Sequence, residues 1–347
     1  MSLLSFELEN KMSRQGETRE RTFGNVKEFW ESEAHTWGED PRVTIRDHFY
    51  RLLGVNYIVD FLSAEQSKRP FRILDVGCGT GFSTLHYAQV CKEIYGVDYS
   101  EGMISHAQEF LIDSKNRREV IHKYCDGIWD LPCGNIVFHV GDALDLKFSD
   151  GFFDVVISDR LLVNMQTPEM QDRVLVELGR VLKPGGLLFV NEATVQGHAR
   201  IDSFRVKFGL DKMEKYWHNC YLNEDLLCSQ LYFHVRDVQR FDVYQFLSKI
   251  VYTLTIRPEE PDFLSHFNRA AYYLARVYPS RDELLCNLCS HKNFFVPTLF
   301  RGLFSCHLST HSGLEFHGTL LPQDDPIWSE DFSGCSHQAL FILEKRS

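Results

Sequence analysis

The sequence has no run of about eighteen apolar residues, so it offers no helix that could cross a membrane. It also lacks an excess of positive charge. Its 37 Lys and Arg face 48 Asp and Glu, a net charge of −11. A nucleic-acid partner requires clustered basic residues to neutralise phosphates, so none is expected. The densest basic cluster, Lys115 to Arg118 with Lys123 nearby, reads as a solvated loop face. Residues Met1 to Thr22 lack the basic-then-apolar pattern of a secretory leader. Segment 1–23 is therefore expected to be a flexible tail and the location cytoplasmic. The ten cysteines form no disulfide-like framework, and most should be free thiols or small buried hydrophobes. Cys286 and Cys289, with His291, Cys306 and His307 downstream, match no standard zinc-finger spacing, and no metal is expected. The G-x-G-x-x-G spacing of a dinucleotide site is missing as well.

What is present can fill a substantial core. Of 347 residues, 44% are hydrophobic and 27 are Phe, enough for one large domain or two modest ones. An apolar stretch, Phe71 to Val76, runs into a glycine-dense turn, Gly77-Cys-Gly-Thr-Gly81. A helix-compatible segment from Phe82 to Cys91 follows, then a short strand that stops on Asp98. That is one βαβ unit with a ligand crevice at the carboxyl ends of its strands. The glycines let backbone approach a ligand where a Cβ would clash. Asp98 stands where a carboxylate accepts both hydroxyls of a ribose. Asp75, inside the first strand's end, would repel a pyrophosphate and suits a ligand with an ammonium group. That argues against an NAD-dependent oxidoreductase, the alternative enzyme class for such a sheet.

The alternation continues. Ser100 caps a helix to about Ile112. Strands at Ile136–Val140 and Phe153–Ser158 follow, the second ending in Asp159. A helix from Pro168 to Leu182 begins with proline in its first turn. Lys183-Pro-Gly-Gly186 ends it, and Leu187 to Asn191 forms a fifth strand. Such alternation implies a parallel sheet covered on both faces. Ahead of it, residues 24–63 carry helical periodicity in two stripes, Phe29, Trp30, Ala34 and Trp37, then Phe49, Leu52, Leu53, Tyr57, Ile58 and Phe61.

Leu74-Asp-Val-Gly-Cys-Gly-Thr-Gly81 resembles the first motif of the class I S-adenosylmethionine-dependent methyltransferases. Gly141-Asp-Ala143, Phe153 to Ser158 and Leu182 to Gly186 resemble that family's later motifs, so the resemblance covers roughly residues 70–193. It implies an α/β, doubly wound, mostly parallel seven-stranded sheet of Rossmann-like methyltransferase type, with an N-terminal helical lid and a C-terminal insertion. The implied organisation is a lid at 24–63, a cofactor-binding core at 64–193, a substrate cap with the sixth strand at 194–278, an insertion at 279–334 and a last core strand at 335–347. The implied cofactor is S-adenosyl-L-methionine. Asp75, Gly77, Cys78, Gly79, Gly81, Asp98, Tyr99, Met103, Asp142, Ala143, Asp159 and Arg160 are its expected contacts. Arg46, in a Thr-Ile-Arg-Asp segment shared with bacterial relatives, is a candidate for the methionine carboxylate. An ion pair at the surface is the alternative for Arg46, and a buried structural pair the alternative for Asp159 and Arg160.

Trp217-His-Asn219 and Arg257-Pro-Glu-Glu-Pro261 resemble bacterial small-molecule methyltransferases, some acting on surface-sugar precursors. Ser158-Asp-Arg-Leu161 is not the Asp/Asn-Pro-Pro-Tyr/Phe of enzymes that methylate nucleic-acid amines. The expectation is in-line methyl transfer to a small acceptor that is sugar-linked, quinone-like or polyketide-like. A cofactor-binding protein without turnover is the rival. The donor arrives activated, so a base is needed only for a protonated acceptor. His218, Glu192 and Asp159 are the catalytic candidates, with His198 behind them. Each has an ordinary structural alternative, such as holding a loop by hydrogen bonds.

Overall fold

The computed structural model describes residues 20–38, 40–65, 71–113, 135–256, 265–280 and 335–346. The tail through residue 19, the basic cluster, the Arg257–Pro261 segment, the Cys286–His307 group and nearly all of the expected insertion lie outside the described residues. The strands are β1 (Phe71–Val76), β2 (Cys91–Asp98), β3 (Asn135–Val140), β4 (Phe153–Asp159), β5 (Leu182–Ala193), β6 (Phe233–Gln239) and β7 (Gln338–Lys345). They form one sheet in the order β3-β2-β1-β4-β5-β7-β6. β7 runs antiparallel between β5 and β6, and every other neighbouring pair is parallel. This is the expected doubly wound, mostly parallel seven-stranded sheet.

The helices are α1 (Phe23–Trp37), α2 (His48–Glu65), α3 (Phe82–Tyr87), α4 (Glu101–Ile112), α5 (Pro168–Val181), α6 (Val195–Lys207), α7 (Glu224–Cys228), α8 (Asp242–Phe246), α9 (Tyr252–Ile256) and α10 (His266–Val277). A π-helical turn, Leu247–Val251, joins α8 to α9. The helix starts follow side-chain caps. Ser100 accepts a bond from the Met103 N–H, Thr167 from Met170 with Pro168 beside it, and Thr194 from Gly197.

The period of two along each strand sorts its side chains between two faces. Ile73, Val155, Ile157 and Phe189 pack under Val55, Ile58 and Leu62 of α2. Leu74, Val76, Val156 and Leu188 pack on Val174, Leu175 and Leu178 of α5. Both faces are dry, which is why these strands read as continuous apolar runs. Each buried Leu, Ile or Phe contributes roughly 1.5–3 kcal/mol. A third cluster joins Phe49, Leu52 and Leu53 of α2 to Tyr244, Phe246, Ile250, Tyr252, Phe267 and Tyr272. The aromatics of the cap are thus largely their own core.

Two boundaries differ from the sequence reading: the helix after the glycine turn ends at Tyr87 and Cys91 already opens β2, and the fifth strand starts early. Leu182 already pairs with Phe153, Lys183–Gly186 bulge out, and pairing resumes with Leu187 opposite Val155. The Pro-Gly-Gly turn lies inside β5 rather than before it. Gly185 takes φ +71°, and Lys183 anchors the bulge on Asp154 at 2.8 Å.

Candidate functional site

The strand order reverses between β1 and β4, and a crevice opens there at the carboxyl ends of the strands. It holds about 710 Å³, counted out to its mouth, and Asp98, Asp75 and Asp159, the tips of β2, β1 and β4, share its wall.

The glycine turn builds the floor. Gly77, Gly79 and Gly81 all have positive φ, +77°, +53° and +75°, a region costly for residues with a Cβ. Space is equally restrictive. A Cβ on Gly79 would lie 2.6 Å from Thr44 Cγ2, and one on Gly81 2.6 Å from the Phe138 ring. Gly77 and Cys78 donate to the Val97 carbonyl at 2.7 and 3.1 Å, which ties the turn to β2.

Asp98 Oδ2 accepts from the Gly79 N–H and Oδ1 from the Ser100 N–H, both at 2.9 Å. Burial pushes its carboxyl up to about 6 despite these bonds. Asp75 is 2% exposed and accepts from Thr84 Oγ1 at 2.6 Å. Burial raises it to about 7, with the Asp159 and Asp98 charges adding to the effect. Asp159 accepts from Asn191 Nδ2 at 3.0 Å and is raised by burial, opposed by Arg51 and Arg160.

The structure brings Asp75, Gly77, Cys78, Gly79, Asp98, Tyr99, Met103, Asp159 and Arg160 together on the cavity wall. Six other expected site residues, Asp142, Ala143, Arg46, Glu192, His218 and His198, do not line it, and Gly81 only shapes the turn behind it. Asp142 is exposed, and its Oδ1 accepts from the Leu144 N–H at 2.9 Å, an Asx turn that occupies the side chain locally. Ala143 packs in the core beside Val97 and Leu161. Arg46 lies with its guanidinium 5.6 Å from the Trp37 ring centroid.

Glu192 is fully buried behind β4. Its two oxygens accept the Leu162 and Val163 N–H groups at 2.7 and 3.2 Å. Burial pushes this carboxyl up to about 8. It holds the loop after β4 rather than facing the cavity. His218 is 5% exposed and stacks on Phe29 of α1, centroids 4.5 Å apart, with Tyr216, Trp30 and Trp217 around it. It clamps the first helix onto the loop before α7. His198 is 3% exposed and stacks on Tyr221.

Sequence reasoning missed Trp30, Thr44, Ile45, Arg51, Ser83, Leu161 and Asn164, all of which line the cavity. Arg51 matters most. It is 3% exposed, donates to Thr44 Oγ1 and lies over the Phe82 ring. Burial lowers its affinity for its proton, to about 10. The signal was a guanidinium inside an otherwise apolar helix, five residues after Arg46. Trp30 arrives on α1, which crosses the cavity. Its Nε1 donates to Asn164 Oδ1 at 3.3 Å, and Glu31 accepts from the Glu101 and Gly102 N–H groups at the start of α4.

Residues 74–190 match the family model described as a methyltransferase domain. This segment carries the methyltransferase domain that the sequence motifs implied. The chain is 35% identical over 128 residues to an uncharacterised methyltransferase of Schizosaccharomyces pombe, covering 36% of this chain and 41% of that one. It is 35% identical over 138 residues to a demethylmenaquinone methyltransferase of Symbiobacterium thermophilum, covering 39% and 47%. It is 30% identical over 175 residues to the O-methyltransferase cnsE of Penicillium expansum, covering 50% and 52%. The chain therefore spans about half the length of the curated relatives it matches, or less. The family's cofactor is S-adenosyl-L-methionine. The methyltransferase segment suits it on its own chemistry. Carboxylates flank a glycine floor too close-packed for side chains, and two guanidiniums, Arg51 and Arg160, line the same cavity.

Proposed function

We propose that this protein transfers a methyl group from S-adenosyl-L-methionine to a small-molecule acceptor by in-line displacement. The acceptor class is sugar-linked, quinone-like or polyketide-like. The relative named for demethylmenaquinone favours a quinone-like acceptor, and the one named for O-methylation favours an oxygen as the atom methylated. The observation that carries the reading is the placement of Asp98, Asp75 and Asp159 on consecutive strand tips around one glycine-floored cavity.

When bound, the cofactor supplies a methyl group already activated on a positive sulfur. The chain's own residues do the rest. Asp98 holds the ribose hydroxyls on the lone pairs its two N–H bonds leave open. Asp75 meets the ammonium group, and Gly77 and Gly79 let the backbone lie against the ligand. Tyr99 and Met103 flank the base. Arg51, beside β1 and the glycine turn, takes the carboxylate in place of Arg46. Asp159 closes the wall at β4. Residues 24–63 serve as a lid, with Trp30 excluding water, and residues 194–278 as the acceptor cap. Of the expected catalytic candidates only Asp159 lines the cavity, while His218, Glu192 and His198 do not, so alignment and water exclusion fall to the enzyme.

A thermal-shift panel tests this directly. S-adenosylhomocysteine is expected to raise the melting temperature, whereas NADH leaves it unchanged. Stabilisation by NADH alone would return the site to the oxidoreductases. Stabilisation by S-adenosylhomocysteine without turnover on any quinol, polyphenol or sugar tested would favour a binding protein of the same fold.

A further inference from the structure

Arg160 is the one residue other than glycine with a positive φ among the described residues, +59°. A left-handed conformation costs a residue with a Cβ roughly 1–2 kcal/mol. Such strain persists only where the surroundings impose it, and it gathers at functional sites. Here the surroundings are explicit. The Arg160 N–H donates to the Asn191 carbonyl at 2.9 Å, and its own carbonyl accepts from Asn164 Nδ2 at 2.7 Å. Glu192 accepts the Leu162 and Val163 N–H groups of the same loop. The backbone is held on three sides, yet the guanidinium is not. Its Nε is buried without a hydrogen-bond partner among the described residues, while the residue lines the cavity.

The acids near Arg160 feel its charge, yet each has another partner. Glu192 spends both oxygens on backbone N–H groups, and burial favours its protonated form. Asp159 is bonded to Asn191, and Arg51 is the foremost charge acting on it. The strand order separates the two guanidiniums. Arg51 stands over Phe82, next to β1 and the glycine turn. Arg160 follows β4, on the side of β5 and β7, where its charge acts on Tyr221 and His337. The Tyr221 ring in turn stacks on His198 at 4.8 Å. Neither nitrogen of His198 makes a hydrogen bond among the described residues, and Asp202 lies 3.5 Å from its Nε2. A cofactor laid across β2 and β1 leaves this far wall to the second substrate.

We propose that Arg160 seats an oxyanion carried by the methyl acceptor: a carboxylate, a phosphate ester or an acidic phenol. This rests on the methyltransferase reading of the same cavity. A planar guanidinium with open donors pairs with any of the three, and removal from bulk water strengthens the contact.

The test compares four benzene-ring probes on protein saturated with S-adenosylhomocysteine: benzoate, phenyl phosphate, 4-nitrophenol and, as the neutral comparator, benzamide. One charge-assisted bond predicts that the preferred anion binds wild type about tenfold or more tightly than benzamide. Which anion leads identifies the acceptor's acidic group. Absorbance of 4-nitrophenol reports whether it binds as the anion. In Arg160→Asn, where asparagine tolerates the left-handed backbone, the ratio should fall to about one; in Arg160→Lys, which keeps the charge, part of it should return. Equal binding of all four probes to wild type overturns the proposal, as does a preference that survives in Arg160→Asn. Calorimetry of S-adenosylhomocysteine on wild type separates the two readings. If it binds and no anion preference exists, only the acceptor inference fails. If it does not bind, the cofactor reading fails first.

Discussion

Asp98 shows how much one side chain settles at this site. Its oxygens each take one backbone N–H, so it fixes the Gly79 turn before any ligand arrives. Asp98→Ala is expected to weaken S-adenosylhomocysteine binding by about 1.5–3 kcal/mol, the usual worth of hydrogen bonds to a charged group. Calorimetry reads this, and unchanged affinity would remove Asp98 from the ribose. Asp75 carries a pH signature. Burial raises its carboxyl to about 7, so near neutrality the empty site is partly protonated. A ligand ammonium favours the ionised form and expels that proton. Affinity for S-adenosylhomocysteine should therefore rise from pH 6 to pH 8. Titrations in buffers of different ionisation enthalpy should show proton release, and proton uptake would contradict the pairing. These two acids were legible because each ends a strand beside a glycine turn. Arg51 was not, since its role depends on how α2 packs across β1, and Arg46 sits in the more conspicuous motif.

At the scale of elements, the sequence shows where helices and strands begin because caps and periodicity are local. Ser100, Thr167 and Thr194 do what their positions suggest. What lies between elements is less readable. Asp142 follows its strand as Asp98 does, yet folds back onto its own turn. Glu192 and His218 have the chemistry of bases, yet one anchors the loop after β4 and the other clamps α1. Their tertiary partners, Leu162 and Val163 for Glu192 and Phe29 for His218, are 29 or more positions away in the chain, beyond the reach of any spacing argument. Glu192→Ala would strand two buried N–H groups, which predicts a loss of about 3 kcal/mol in stability. Urea denaturation checks it; a loss under about 0.5 kcal/mol, the range of ordinary surface changes, would mean the loop is held by other contacts.

For the whole molecule, the buried acids and histidines oppose each other across pH. His86, His198 and His337 are lowered by burial, so they favour the fold more as pH rises toward the ordinary histidine value near 6.5. Asp75 and Glu192, raised to about 7 and 8, act the other way. Their protonated forms favour the fold, and that contribution is lost as pH climbs through those values. Above pH 7 the histidines have finished titrating, and the acids, joined toward pH 9 by the buried Cys78 and Cys335 thiols, all act in that one direction. The ligand-free protein should thus melt at a lower temperature at pH 8.5 than at pH 7, and a flat or rising profile would contradict the protonated state of Glu192. The sheet order was implied by resemblance, not by residue pattern, because periodicity identifies strands without saying which of them pair.

The most direct measurement is a crystal structure grown with S-adenosylhomocysteine. The account predicts its ribose hydroxyls on the Asp98 carboxylate, its amino group beside Asp75 and its sulfur turned toward Asp159. A ligand bound elsewhere, or a ribose that makes no contact with Asp98, would contradict it.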